Sequence, residues 1–273
     1  MPQAVQSLPY VAWILLTSLS IGSFAFVLIA KNRTDATRGY LGFTAFCAGL
    51  LALFALFVDW GLPEPTSLVI KIPPVGFAVR QVGLVLIAIA GMAYPFLLRK
   101  GWDRLGDSSV AVGATQALMG AALGWAPTGN DAVPLVVQLV VLSLATGGSL
   151  AAVILGHWYL VTPKISEKPL VLQARLLMGV IGLQLLLFVV WTTLGGGPNQ
   201  GAFDAFSGAN LLLVVLRLVV TLLFPLVLCW MAWRTALTRS MESATGLLYI
   251  NLAAVMAGTI GAAALYVSTG LLL

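Results

Sequence analysis

Charge is scarce in this chain. Lys and Arg number 14 and Asp and Glu 9 among 273 residues, so that charged residues make up 8%, against about 25% in an ordinary soluble domain. That scarcity excludes a soluble globular fold. Histidine occurs once, at His157. A bis-histidine haem within this chain is therefore excluded, and zinc-type sites have few ligands to draw on. The two cysteines, Cys47 and Cys229, both lie in apolar runs and provide neither a disulfide framework nor a CxxC metal site. P-loop, HExxH and CxxCH patterns are absent. No lysine stands in the middle of an apolar run, which excludes a retinal Schiff base. No carboxylate does so either, which removes the usual coupling residue of a proton- or sodium-driven transporter.

What is present is hydrocarbon, at 60% of residues. It falls into eight runs of about 20 residues, the length that crosses a bilayer core as helix: 10–30, 40–60, 75–98, 109–126, 134–160, 170–193, 209–233 and 246–270. The expected fold is an all-α integral membrane protein with eight transmembrane helices. Pro9–Ala30 reads as a retained first helix. Lys31, Arg33 and Arg38 follow it and no cation precedes it, the reverse of a secretory signal.

Cations occupy alternate loops: Lys31, Arg33 and Arg38; Arg99, Lys100 and Arg104; Lys164, Lys168 and Arg175; Arg234 and Arg239. The loops APTGNDAVP and GGGPNQGAFDAFSGAN hold none, and the loop after Trp60 holds only Lys71 and Arg80. By the positive-inside rule both termini lie outside, and the expected location is the bacterial cytoplasmic membrane. The net charge of +5 is explained by this topology and does not point to nucleic acid. Trp60, Trp125, Trp158, Trp191, Trp233, Tyr10, Tyr40 and Tyr266 near span ends read as an interfacial aromatic belt. The loop GLPEPTSLVIKIPP reads as an interfacial segment or a plain extended connection.

The two halves match when written one under the other. LSIGSFAFVLIA (19–30) aligns with ATGGSLAAVILG (145–156), and MGAALGWAPTG (119–129) with IGAAALYVSTG (260–270). FAVRQVGLVL pairs with VVLRLVVTLL, which sets Arg80 opposite Arg217. The expectation is two tandem four-helix bundles, 1–130 and 131–273. With an even number of helices per unit they form a parallel 4+4 repeat. Gly120-xxx-Gly124, Gly148-xxx-Ala152-xxx-Gly156 and Ala254-xxx-Gly258 read as close helix contacts. Pro95 and Pro225 read as kinks.

Arg217 is the candidate with the strongest physical argument. It is a lone cation within LLLVVLRLVVTLLFPLVL (211–228), and an ionisable residue in a span is a functional-site candidate by default. With Arg80 it offers a rigid donor fork to a carboxylate, phosphate, haem propionate or quinone oxygen. The competing reading is snorkelling to headgroups, or pairing with Asp59, Glu64 or Asp204. His157, at the end of span five, is read either as an interfacial residue or as a proton relay or quinone hydrogen-bond partner. Gln138 and Gln184, like Gln116 and Asn251, are read as interhelical hydrogen-bonding groups or as the lining of a small polar cavity.

Eight spans in two bundles, no haem ligation by paired histidines and the small-residue opening WILLTSLSIGSF (13–24) resemble the haem-free quinol-binding membrane subunits of the polysulfide-reductase type. The resemblance implies a quinone pocket near one membrane face and extrinsic redox partner subunits. The expected function is a membrane-anchor subunit of a quinone-linked electron-transfer complex, set in the lipid bilayer and not catalytic by itself. No buried acid stands ready in the sequence to take a proton from quinol. The alternatives are a small-solute transporter or channel, and a purely structural assembly subunit.

Overall fold

The computed structural model describes residues 3–63, 76–162, 165–195, 201–207 and 211–273, with side chains from residue 7 onward. Glu64, Lys71, Lys164 and most of GLPEPTSLVIKIPP fall outside the described residues. Eight helices follow one another: α1 (Gln3–Arg33), α2 (Arg38–Trp60), α3 (Phe77–Lys100), α4 (Asp103–Trp125), α5 (Ala132–Val161), α6 (Lys168–Leu194), α7 (Leu211–Leu237) and α8 (Met241–Thr269).

Seven of these are long and apolar enough to cross a membrane. The eighth, α4, is as long as α2 but less apolar. It opens on Asp103, Arg104 and Asp107 and carries Ser108, Ser109 and Gln116. Several helices run past the hydrophobic runs that announce them, because helical hydrogen bonding continues into the headgroup zone after hydrophobicity stops.

Connections of two to six residues force α1 and α2, α3 and α4, α5 and α6, and α7 and α8 to lie antiparallel. Gly101, at φ 74°, ends α3 with its N–H on the Leu97 carbonyl, a left-handed cap that favours glycine. The cation-bearing connections meet at one end of the molecule. Lys31 reaches Asp103 and Asp107, Ser166 donates to Asp35 at 3.3 Å, and Arg239 lies 3.6 Å from Glu167. At the opposite end the Tyr266 hydroxyl donates to the Trp125 carbonyl at 3.1 Å.

The packing has two groups. In the first, α3 lies between α2 and α4, and α1 packs on α2; in the second, α6 and α8 flank α7, and both also pack on α5. The groups meet along α1 and α5, with α8 against α1 and α4 against α5. The α1–α5 crossing brings backbone against backbone. A Cβ added to Gly22 would sit 1.7 Å from the Ser143 carbonyl oxygen, and one on Gly147 would sit 2.3 Å from the Ser23 nitrogen. Lipid tails are as apolar as leucine, so helices in a bilayer associate through such close contact and through polar bonds. The Ser23 hydroxyl donates to the Gly147 carbonyl at 3.0 Å, and Tyr40 donates to the Ala151 carbonyl at 3.3 Å. Thr146 pairs with Thr259 at 2.6 Å.

Gly91 and Gly49 bring α3 to α2 in the same way, and Gly83 and Gly113 bring α3 to α4. Among the glycines expected at contacts, Gly120 meets the backbone of Gly76 and Arg80, Gly148 the Phe26 ring and Gly156 the Thr245 side chain.

One expectation about side chains is corrected. Tyr10, Tyr40, Tyr266 and Trp125 do not form part of an aromatic belt. They are buried at 5% exposure or less. Their helices turn these rings inward, and the three tyrosine hydroxyls donate to the carbonyls of Pro63, Ala151 and Trp125. Trp60, 60% exposed, does face outward. Pro95 lies inside α3, which runs on as one helix from Phe77 to Lys100. Pro225 follows a π-helical turn, Val219–Leu223. Proline has no N–H for the Thr221 carbonyl, and the Phe224 N–H closes back on Val219 instead.

Gly22→Leu is expected to cost about 3 kcal/mol or to prevent folding. Gly246→Ala, whose added Cβ meets nothing within 4 Å, is expected to hold or raise stability. Thermal unfolding of the two variants in detergent checks the contrast.

Candidate functional site

Arg80 and Arg217 are both buried inside the protein, at 3% and 4% exposure. Neither snorkels outward. Their surroundings differ in kind.

Arg80 lies in the first turn of α3, where it meets the last turn of α2. Its Nε donates to Asp59 Oδ2 and its Nη2 to Oδ1 at 3.2 Å, while Gln81 Nε2 adds a bond to Oδ1 at 3.0 Å. Aromatic rings enclose the guanidinium. Its central carbon lies 5.6 Å from the Trp13 ring, 5.6 Å from Phe77 and 5.2 Å from Trp125, within cation–π range. Trp13 and Trp125 pack edge to face at 4.7 Å. Gly120 and Gly124 on α4 leave the room this cage occupies.

Asp59 is 1% exposed, so the expectation that no acid is buried is corrected. It stands beside Trp60 at the end of α2, and the arginine fork compensates its desolvation. The pairing considered for Arg80 is thus realised with Asp59.

Arg217 lies on α7, about 9 Å along the axis from Leu211 at 1.5 Å per residue. Its Nη1 donates to Thr221 Oγ1 at 3.1 Å, and the same hydroxyl donates to the Arg217 carbonyl at 2.8 Å. Its Nε has no hydrogen-bond partner among the described residues. No described carboxylate pairs with it: Asp59 belongs to Arg80, and Asp204 accepts the Gly201 N–H at 2.7 Å within its own turn. Glu64 lies outside the described residues. Space for the guanidinium comes from α8, where a Cβ on Gly258 would fall 2.5 Å from Nη1. The π-helical turn begins two residues beyond Arg217, at Val219. Such turns cluster at functional sites because one extra residue per turn re-aims side chains.

The other candidates are dispersed. Gln138 on α5 is buried, donates to the Leu273 carbonyl at 3.0 Å and accepts from Trp191 Nε1 at 3.4 Å. Gln184 on α6 is buried, and its Nε2 has no partner among the described residues. His157 is exposed near the end of α5. No hydrogen bond or ion pair joins these three to either arginine among the described residues. Asn251 donates to Ser149 Oγ at 2.9 Å and accepts from Cys229 at 3.3 Å. Gln116 is half-buried, with Oε1 unpartnered among the described residues.

Sequence reasoning offered Asp59 as a pairing partner and Gly258 as a close contact, but missed the burial of Asp59, the ring cage, Thr221 and the place of Gly258 beside Arg217. Thr221 carried a readable signal, since a residue four positions on shares a helix face with Arg217. It also missed a second charged cluster at the other end of the molecule. There Lys31 bridges Asp103 and Asp107, and Tyr94 donates to Asp107 at 2.6 Å. No set of three or more metal-ligating side chains gathers among the described residues.

No protein-family model matches this chain, no curated protein matches it, and no solved structure matches it. The site must therefore be read from its own chemistry.

Asp59→Asn leaves Arg80 buried without a counter-charge, an expected loss of about 3–5 kcal/mol. The double change Asp59→Leu with Arg80→Met is expected to recover much of it. Arg217→Met removes a cation that has no described carboxylate partner, and is expected to hold or raise the stability of the purified protein. Unfolding midpoints for the four chains, wild type included, decide both points.

Proposed function

We propose that this chain is the membrane-anchor subunit of a quinone-linked electron-transfer complex, and that Arg217 is the group that holds a ligand oxygen. The observation that carries the reading is the Arg217 Nε, buried and unpartnered among the described residues. An unmet donor on a buried cation is costly. A quinone suits the place, because its body dissolves in hydrocarbon while its carbonyl oxygens accept hydrogen bonds. Thr221 aligns one arm of the fork and leaves Nε for the ligand. Gly258 keeps the facing helix clear of the guanidinium.

In this reading the connections between helices are too short to hold a redox domain, so extrinsic subunits supply the electrons. The chain itself binds and orients. Asp59 is a buried acid, but Arg80 occupies it, and it belongs to the other helix group. Its role is to hold the outer end of the first group together.

The finer architecture belongs to the same proposal. All eight helices, α4 included, cross the bacterial cytoplasmic membrane as a parallel 4+4 repeat with both termini outside. Three features support it: the three matched pairs of sequence segments, the contact of α1 with α5 as equivalent helices, and the reciprocal contacts of α8 with α1 and α4 with α5. The gathering of the cation-bearing connections at one end supports the orientation.

Mild-detergent purification followed by mass spectrometry is expected to recover redox subunits and quinone with the chain. Arg217→Met is expected to weaken binding of a short-chain quinone at least about tenfold, the loss of one charge-assisted hydrogen bond, without loss of folding. Solute flux through the purified chain alone in vesicles would favour the transporter instead. Unchanged quinone binding in the variant would remove Arg217 from the site.

A further inference from the structure

A groove of about 780 Å³ opens between the end of α1 and the start of α6. Leu28, Ile29, Val171, Leu172 and Leu176 form its apolar part, and Arg33, Lys168 and Arg175 stand around its rim with Asn32 and Thr34. No carboxylate lines it among the described residues. The nearest acids in sequence are engaged elsewhere: Asp35 accepts from the Ser166 hydroxyl, and Glu167 faces Arg239. None of the three cations forms an ion pair among the described residues.

The combination is specific in its chemistry. Three cations line a groove whose apolar wall is aliphatic. It lies where two apolar helices end, which is the headgroup level of a bilayer. Basic pockets between spans at that level suit anionic headgroups.

The corresponding place in the other half is closed. Continuing the register that aligns 19–30 with 145–156 sets Asn32 opposite Trp158. Trp158 packs onto α2, where a Cβ on Gly39 would fall 2.7 Å from its ring, and it lies 6.2 Å from the Phe43 ring. The small Asn32 puts no such ring between α1 and α6, which touch only briefly.

We infer that this groove is a binding site for one anionic phospholipid, its phosphate held by Arg33, Lys168 and Arg175 and an acyl chain laid along Leu28, Ile29, Val171, Leu172 and Leu176. The site is independent of the ligand at Arg217.

The test is native mass spectrometry of the full chain, purified in mild detergent and mixed with phosphatidylglycerol or phosphatidylcholine, with a thermal-shift measurement in parallel. Wild type is expected to retain one phosphatidylglycerol, to gain thermal stability from it and to ignore phosphatidylcholine. The combined change Arg33→Gln, Lys168→Gln and Arg175→Gln is expected to weaken retention at least about tenfold. Asn32→Trp, which keeps every charge and fills the groove, is expected to do the same. Arg99→Gln with Lys100→Gln, cations at the same end outside the groove, is expected to leave retention unchanged. Equal retention of the two lipids by wild type would overturn the assignment. So would undiminished binding in Asn32→Trp, or equal stabilisation by inorganic phosphate alone.

Discussion

Backbone-to-backbone contact between α1 and α5 is the constraint on which the remaining packing depends. In a bilayer no water drives apolar faces together, so helices must gain from touching closely. Glycine at 22 and 147 removes the side chains that would hold the axes apart, and the Ser23–Gly147 bond then becomes short enough to form. Once these two helices are joined, each serves as the wall for its own group, and α8 and α4 fit into the remaining flanks. Polar side chains follow the same logic. Serines, threonines and amides concentrate on α5 and its neighbours because that is where backbones lie near enough to answer them.

The two arginines show two solutions to burying a cation. Arg80 is neutralised, bonded and ringed by aromatics, and its site is complete in itself. Arg217 has a single hydroxyl from its own helix and glycine opposite it. A complete site contributes to the fold; an incomplete one keeps donors available. The similar position of the two residues in the two sequence halves therefore conceals a difference in what they can do. The difference lies in residues the alignment does not emphasise, chiefly Asp59 and Gly258.

Hydropathy made the helices legible, because a run of about 20 apolar residues has few other destinations. The glycine spacings made close contacts legible in kind. They did not give the partners, since Gly120 meets another glycine while Gly148 meets a phenylalanine ring. Which way a residue at a span end faces was not legible. Trp60 and Trp125 look alike in sequence, yet one is 60% exposed and the other 1%. Asp59 was obscure for the same reason: beside a tryptophan at a helix end, nothing local says whether a carboxylate turns to water or to a buried arginine. Arg217 stood out because nothing else in its run carries charge.

The π-helical turn after Arg217 has a consequence for how this protein can change over time. A π turn is one residue more than the α-helix needs, and one residue amounts to about 100° of rotation around the axis. The aim of the guanidinium relative to Cys229 and the rest of α7 thus hangs on chain length as well as on residue identity. Loss of a single codon at Val219, Val220, Leu222 or Leu223 would leave a regular α-helix. The arginine would then face a different neighbour, while every residue of the site remained present.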